Sequence, residues 1–323
     1  MTRRPWALAL VGVLMVVATA VAVASRDRPA TTVRPLAPAA PGLALLVVQH
    51  EAGPLGAVVG TTGFGGPGVL VLPPEAILTI PGQGEATVAE ALQLPPGQAA
   101  TAVSNLLGVW IEHVALTDPS RLAALIDRAG GVQIGGATVT GEDVVTPLAE
   151  PGAAGARGLS VALEGITGSD AGWTAQDLSN ADDRRAVVET LNSAAGARVT
   201  LLPAVEVASG LFQSSPEAVT AALIEAFGGP VEEAVPVIVL NGNGAPGIGE
   251  LVAEKILPGG FRIVVSGNAS TFDHAETLVV VGSSNDVDLA ERVRDLLGVG
   301  SVSVSVGSGI APVTIVVGKD FIG

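Results

Sequence analysis

A strand–turn–helix pattern near the end of the sequence most constrains the fold. Residues 237–240 are a continuous apolar run, residues 241–247 are rich in glycine, and residues 247–256 carry apolar side chains at helical spacing. This pattern predicts a buried strand, a tight turn and an amphipathic helix. A strand that leads directly into a helix is typical of α/β domains, so we expect a compact α/β domain here.

The turn carries a glycine motif that has two interpretations. Gly242, Gly244 and Gly247 have the spacing G-x-G-x-x-G, which between a strand and a helix can hold a pyrophosphate. A dinucleotide site also needs an acidic residue after the second strand, but residues 266–268 are Ser, Gly and Asn. Glycines also form turns. We therefore interpret the motif as a structural turn without a cofactor; an NAD-dependent oxidoreductase is the competing hypothesis.

The composition allows two domains and excludes some functions. The chain has 323 residues, a formal net charge of −15 and no cysteine. Residues 35–323 contain eleven basic and thirty acidic side chains, which give a net charge of −19. Such a surface repels nucleic acid, so no nucleic-acid partner is expected. Without cysteine, disulfides and zinc–thiolate sites are impossible.

The first residues predict a membrane segment. Arg3 and Arg4 precede an uncharged run over residues 5–25, close to the ~20 residues that span a bilayer core. We predict that residues 1–41 are a signal anchor and a Pro-rich linker, with the folded domains outside the cytoplasm at the cell membrane. A cleaved signal peptide is the alternative, because Ala, Val and Ala at 22–24 fit a cleavage site.

The middle of the chain begins with a strand that is apolar at every position, Leu43–Val48. A run of this kind is typical of a strand buried on both faces. Further strands at 57–59 and 69–72 flank a glycine-rich stretch, which predicts a hairpin. The other predicted elements of this region are helices at 87–94, 98–107, 120–129, 184–191 and 216–227 and strands at 109–116 and 132–134.

The last domain is expected to be a small α/β sandwich, entered through a linker at 230–236. The predicted strands are 237–240, 261–265, 276–281, 301–306 and 313–317, with helices at 247–256 and 286–297. Val-Leu-Asn-Gly-Asn-Gly at 239–244, Gly-Phe-Arg-Ile-Val at 260–264 and Pro-Val-Thr-Ile-Val-Val-Gly-Lys-Asp-Phe at 312–321 carry a resemblance. Residues 235–323, within a predicted domain of 230–323, resemble the LytR C-terminal domain, which implies a binding or assembly role in the cell envelope.

The preceding residues 42–229 resemble a LytR-CpsA-Psr (LCP) domain. The resemblance lies in Val-Leu-Pro-Pro-Glu at 71–75, Ile-Pro-Gly-Gln-Gly at 80–84, Leu-Gly-Val-Trp-Ile-Glu-His-Val at 107–114 and Leu-Ile-Asp-Arg-Ala-Gly-Gly-Val at 125–132. It implies an α/β domain with a mixed central sheet. Where the family has an arginine and an aspartate in its first turn, this sequence has Pro74 and Glu75, so we regard the domain as degenerate.

The resemblance implies a chemistry that this sequence is poorly equipped to perform. Family members use Mg²⁺ and a cluster of arginines to transfer glycan from a polyprenyl pyrophosphate to peptidoglycan. Here no Lys or Arg stands between Arg34 and Arg121. Stabilising charge on phosphate oxygens dominates phosphoryl transfer, so losing the cations removes most of the catalytic power. The remaining candidates are Glu75, Arg184, Arg185 and Arg198 for catalysis and Asp182 and Asp183 for metal binding.

Other polar groups are expected to be ordinary surface residues. Asp170 and Asp177 fit no defined metal-binding loop, and we expect them to be solvated. His50, His113 and His274 are dispersed and lack the spacing of a zinc protease.

These observations together predict an α/β protein with an N-terminal transmembrane helix, an LCP-like domain and a small C-terminal sandwich. The expected function is that of a non-catalytic extracytoplasmic envelope protein that binds or scaffolds wall glycan or a polyprenyl-linked precursor. The alternative is an active LCP phosphotransferase that attaches glycan polymers to peptidoglycan and requires Mg²⁺.

Overall fold

The structure, a computed structural model, describes residues 42–61, 65–170, 172–179, 184–229, 233–305 and 309–322. The predicted transmembrane helix and linker at 1–41 lie outside these ranges. Across the described ranges, no helix is both long and apolar enough to cross a membrane. The chain divides into two compact units, one ending at Ala234 and the other beginning at Val235.

The first unit contains a central sheet, three small hairpins and seven α-helices within the described residues. Its strands are β1 (Leu43–Val48), β2 (Leu55–Thr61), β3 (Pro67–Leu72), β4 (Ile77–Ile80), β5 (Gly84–Thr87), β6 (His113–Thr117), β7 (Val132–Ile134), β8 (Ala137–Val139), β9 (Arg198–Leu201), β10 (Val205–Ala208) and β11 (Leu211–Gln213). Its helices are α1 (Val88–Ala91), α2 (Pro96–Leu107), α3 (Pro119–Arg128), α4 (Gly141–Val145), α5 (Ala153–Thr167), α6 (Arg184–Ser193) and α7 (Pro216–Phe227).

The central sheet is mixed, as predicted, with the strand order β6-β1-β2-β3-β9. Strands β1, β2 and β3 pair antiparallel in sequence order, which confirms the hairpin between β2 and β3. Strands β6 and β9 pair parallel to β1 and β3 and form the two edges.

Strand β1 is buried on both faces, which confirms the prediction from its apolar run. Its six residues are at most 5% exposed. Ala44, Leu46 and Val48 pack into a core with α3, α5 and α6, whereas Leu43, Leu45 and Val47 pack into a second core with α2 and α7. Because side chains alternate across a strand, the two cores lie on opposite faces of the sheet. The unit therefore has three layers, with helices covering both faces.

Some predicted boundaries were wrong for local reasons. The strand predicted at 109–116 begins only at His113, because Gly108 ends α2 in a left-handed conformation and Ile111 N–H donates to Ser104 Oγ at 3.0 Å. The helix predicted at 87–94 is the single turn α1, capped by Thr87. Helix α5 was not predicted; its glycines lower helix propensity, but Leu159, Leu163 and Ile166 anchor it in the core.

The second unit is a two-layer α/β domain, as the sequence predicts. It contains β12 (Val235–Asn241), α8 (Ile248–Ile256), β13 (Phe261–Asn268), β14 (Leu278–Val281), α9 (Val287–Leu297), β15 (Ser301–Val304) and β16 (Val313–Val317). The strand order is β13-β12-β16-β14-β15. Helices α8 and α9 contact each other and the strands, so both cover the same face of the sheet.

An ion pair between a buried carboxylate and a half-exposed arginine fixes the segment before α6 in the first unit. Asp177 is only 2% exposed, so the prediction that it is solvated was wrong. Its Oδ2 accepts from Arg128 Nη2 at 2.7 Å and from the backbone N–H and hydroxyl of Thr174 at 2.7 and 2.8 Å. The sequence shows that Arg128 and Asp177 are charged. It does not show that these two residues, 49 positions apart, form an ion pair.

Replacing this carboxylate should destabilise the protein. We expect Asp177→Asn to lower the free energy of unfolding by about 2–3 kcal/mol, because the amide cannot satisfy the same three donors in a buried site. Asp170→Asn, at an exposed aspartate of the same segment, should change it by less than about 0.5 kcal/mol. Denaturant unfolding of the full chain measures both, and equal values for the two variants would contradict the role of the ion pair.

The partly buried Glu250 on α8 makes the second unit sensitive to pH. Burial and, to a smaller extent, the neighbouring Glu254 raise the pKa of Glu250 above its ordinary value of 4.5. The folded state therefore holds this proton more strongly than the unfolded state, and stability is lost as the pH rises through this range.

Glu250→Gln should remove the loss of stability that the charged form of Glu250 causes. We expect a gain of about 0.2–0.5 kcal/mol at neutral pH, where the wild-type carboxylate is charged, and no gain well below pH 4.5, where it is protonated. Thermal unfolding of the full chain at both pH values, with the exposed Glu276→Gln as control, checks the prediction. A gain that does not depend on pH would show that the charge of Glu250 is not the cause.

Candidate functional site

Glu75 caps a helix in this structure. Its Oε1 accepts from the backbone N–H of Ala153 at 2.8 Å, at the start of α5. The residue before, Gly152, has φ +64°, and a Cβ there would overlap the Glu75 carboxylate. A carboxylate at a helix N-terminus satisfies a free N–H and the helix dipole. The contacts of Glu75 are therefore those of a structural cap.

The first two candidate arginines are exposed at the start of α6. Arg185 Nε pairs with Glu189 at 2.9 Å, one helical turn away, and both side chains are well exposed. Helix α6 packs through Val187 and Leu191 on the core that contains Leu46. Arg184 and Arg185 are thus carried by a helix on that face of the central sheet.

Arg198 lies at an edge of the same sheet. It is exposed at the start of β9, opposite Gly68 of β3. Strand β9 lies three strand spacings from β1, about 14 Å at the usual ~4.8 Å per spacing. Register through β2 places Gly68 level with Leu43, at the amino end of β1.

The structure describes a cavity of about 440 Å³ on the other face of the sheet. Its apolar lining includes Val47, Leu92, Ala99, Val114 and Leu116, which belong to or pack against the core on the α2 side. It lies where the parallel strands β1 and β6 end, the edge at which α/β sheets commonly bind ligands. We call it the β1–β6 cavity.

The polar lining of the β1–β6 cavity contains no Lys or Arg. It consists of Gln49, His50, Glu51 and Gln93. Glu75, Arg184, Arg185 and Arg198 are all absent from the lining. The structure therefore does not bring the candidate catalytic residues together at this cavity.

The candidate metal ligands give no site within the described part of the chain. Asp182 and Asp183 lie outside it. Among the residues that the structure describes, no group of three or more His, Asp or Glu side chains is arranged to hold a metal ion.

In the second unit, side chains use the donors of the glycine-rich turn. Asn241 Oδ1 accepts from the backbone N–H groups of Asn243 and Gly244 at 3.2 and 2.8 Å. Asn243 Oδ1 accepts from the N–H of Ala245 at 2.8 Å. These three N–H groups belong to the loop that would have to bind phosphate, and each already has a partner.

The remaining positions of the turn add few backbone N–H donors that could bind a phosphate. Gly242 N–H donates to the carbonyl of Val317 at 3.0 Å, and Pro246 has no N–H. Gly247 has φ +76° and directly precedes α8. The G-x-G-x-x-G spacing therefore serves the backbone geometry of the turn, and its hydrogen bonds do not favour a dinucleotide.

Comparison with protein families identifies this second unit. Residues 234–321 match the family model LytR_C, described as LytR cell envelope-related transcriptional attenuator. These residues form a LytR C-terminal domain. The resemblance predicted from the sequence is thereby confirmed, and the strand–turn–helix of β12 and α8 opens the LytR C-terminal domain.

Solved structures of LCP proteins are similar to the region that precedes the LytR C-terminal domain. One is the LytR-Csp2A-Psr enzyme from Actinomyces oris, 13% identical with a TM-score of 0.45, where the match covers 60% of this chain and 93% of that one. Another is YwtF (TagT) from Bacillus subtilis with bound octaprenyl pyrophosphate lipid, 14% identical with a TM-score of 0.44 and coverages of 61% and 94%. No curated protein matches the sequence.

Sequence reasoning missed the β1–β6 cavity. His50 was interpreted only against the spacing of a zinc protease, although it lies two positions after Val48, the last residue of the most buried strand of the sheet. The position of polar residues after a buried strand was the available signal. That they would face Leu92 and Val114 depends on the tertiary fold.

The capping role of Glu75 can be tested by mutation. Glu75→Ala should lower the free energy of unfolding by about 1 kcal/mol, because the N-terminus of α5 loses its cap. Glu85→Ala, at an exposed glutamate on β5, serves as the control and should be nearly neutral. If urea unfolding shows equal stability for both variants, Glu75 is not a cap and a role in ligand binding regains support.

Proposed function

We propose that this protein is a membrane-anchored, extracytoplasmic component of the cell envelope that binds or scaffolds wall glycan or a polyprenyl-linked precursor and does not transfer it. The LytR C-terminal domain supports the assignment to the envelope. The uncharged run at 5–25 supports the anchor. The separation of the candidate arginines from the β1–β6 cavity carries the non-catalytic part of the proposal.

The chemistry of phosphoryl transfer explains why this separation matters. The transferred group carries negative charge on its oxygens, and enzymes stabilise that charge with fixed cations. Arg184, Arg185 and Arg198 are exposed and Arg185 pairs with Glu189, so none of the three is fixed in a water-excluded site, where a cation stabilises such charge most strongly. The candidate metal ligands Asp182 and Asp183 lie outside the described residues, and the proposal includes no metal-dependent step.

Electrostatics favours wall glycan over a pyrophosphate-linked lipid. Beyond residue 34 the chain carries a net charge of −19. A pyrophosphate would approach this field without a cation in the cavity lining to offset it. A glycan without phosphate does not meet this repulsion.

A paired binding and transfer assay tests the proposal. We expect full-length protein in nanodiscs to co-sediment with purified peptidoglycan both with Mg²⁺ and with EDTA. We expect no transfer of glycan from a polyprenyl-pyrophosphate donor under conditions in which an active LCP phosphotransferase, assayed in parallel, gives product.

Two results would overturn it. Transfer at a rate similar to the active enzyme, abolished in an Arg184→Ala, Arg185→Ala and Arg198→Ala triple variant, would establish the phosphotransferase alternative. Failure to co-sediment with peptidoglycan together with failure to bind the donor would remove the binding role.

A further inference from the structure

The β1–β6 cavity has the form of a site for a ligand with an aliphatic chain. Its volume of about 440 Å³ falls within the ~300–1,000 Å³ of small-molecule sites. Val47, Leu92 and Ala99 are buried and form an apolar floor, whereas Gln49 and Glu51 are exposed and mark its mouth. The aliphatic chain of a ligand can be buried on this floor while its polar head group remains at the mouth.

The charges around the cavity select against an anionic head group. All lining residues fall between positions 47 and 116, within the stretch 35–120 that has no Lys or Arg. Of the five glutamates between 47 and 116, only Glu51 lines the cavity. The lining therefore offers no Lys or Arg side chain to phosphate or carboxylate head groups, and Glu51 repels them.

Helix α2 borders the cavity, but its N-terminus has fewer N–H donors for an anion than a helix N-terminus usually has. Helix α2 begins with Pro96, which lines the cavity, and is preceded by Pro95 without a side-chain cap. Neither proline has an N–H to donate. Two of the donors that make a helix N-terminus attractive to anions are therefore missing.

A tight turn holds Glu51 at the mouth. The backbone N–H of Gly53 donates to the carbonyl of His50 at 3.0 Å, and the N–H of Ala52 donates to His50 Nδ1 at 2.9 Å. Glu51 stands at the second position of this turn, so its backbone is fixed on both sides. Among Asp, Glu, Lys and Arg, Glu51 is the one residue in the lining of the cavity.

We infer that the β1–β6 cavity binds a single-chain amphiphile whose head group is a positively charged amine. The aliphatic chain packs on Val47, Leu92 and Val114, and the ammonium lies beside Glu51. A glycan has no chain to fill the floor, and a lipid phosphate is repelled. This site is independent of the proposed glycan-binding function.

Three short-chain probes that stay below micelle formation test the inference. Octyltrimethylammonium, octyl glucoside and octyl phosphate share one chain and differ in head-group charge. Titration of full-length protein in zwitterionic nanodiscs, with empty nanodiscs subtracted, should give the tightest binding for the ammonium. We expect it to bind about tenfold more tightly than the phosphate, with the glucoside between them.

Two variants and a matched control assign the binding to this cavity. Val114→Trp should abolish ammonium binding by filling the cavity. Glu51→Gln, a surface change that does not threaten folding, should weaken ammonium binding about two- to fivefold and leave glucoside binding unchanged. Glu85→Gln removes the same charge on β5, away from the lining, and should have no effect.

The outcomes are decisive in both directions. Equal or tighter binding of the phosphate, equal effects of Glu51→Gln and Glu85→Gln, or no binding of any probe would each overturn the inference. Because the test involves no peptidoglycan, its failure leaves the glycan-binding proposal standing, and failure of peptidoglycan binding leaves this site standing.

Discussion

Burial of the central strand β1 on both faces is the constraint on which the first unit depends. A strand between two helical layers has no position at which a charged side chain can reach water, since alternate residues enter opposite cores. All six residues of Leu43–Val48 are therefore apolar. Polar residues reappear only where the strand ends, at Gln49 and His50, and these residues line the β1–β6 cavity.

The same architecture separates the few cations from that cavity. Helix α6 brings Arg184 and Arg185 to one face of the sheet, and the cavity opens on the other. Strand β9 carries Arg198 to the edge remote from β6. An arginine cluster therefore does not form at the cavity. Helix α6 and strand β9 follow each other in sequence, but the sheet lies between α6 and the cavity, and β9 is at the far edge of the sheet.

The LytR C-terminal domain shows how a short motif acquires its meaning from its neighbours. Two asparagines donate and accept within the turn, so the backbone donors of a potential phosphate loop are occupied before any ligand arrives. Asn243 Nδ2 also donates to Gly318 O at 3.0 Å, which ties the turn to the end of β16. The turn therefore stabilises the carboxyl ends of two parallel strands.

Sequence alone determined the features that depend on local pattern. Apolar periodicity located β1 and every strand and helix of the last domain, and the scarcity of Lys and Arg set the sign of the electrostatic field.

Tertiary structure decided the features that depend on contacts between residues distant in sequence. Helix α5 escaped prediction because packing, including the approach of Gly165 to Val132, overrides its glycine content. Asp177 is buried because Arg128 and Thr174 satisfy it, and Glu75 is a cap because the fold brings α5 to it. The pairs Arg128–Asp177 and Glu75–Ala153 join residues 49 and 78 positions apart, and periodicity carries no information about which distant residues meet.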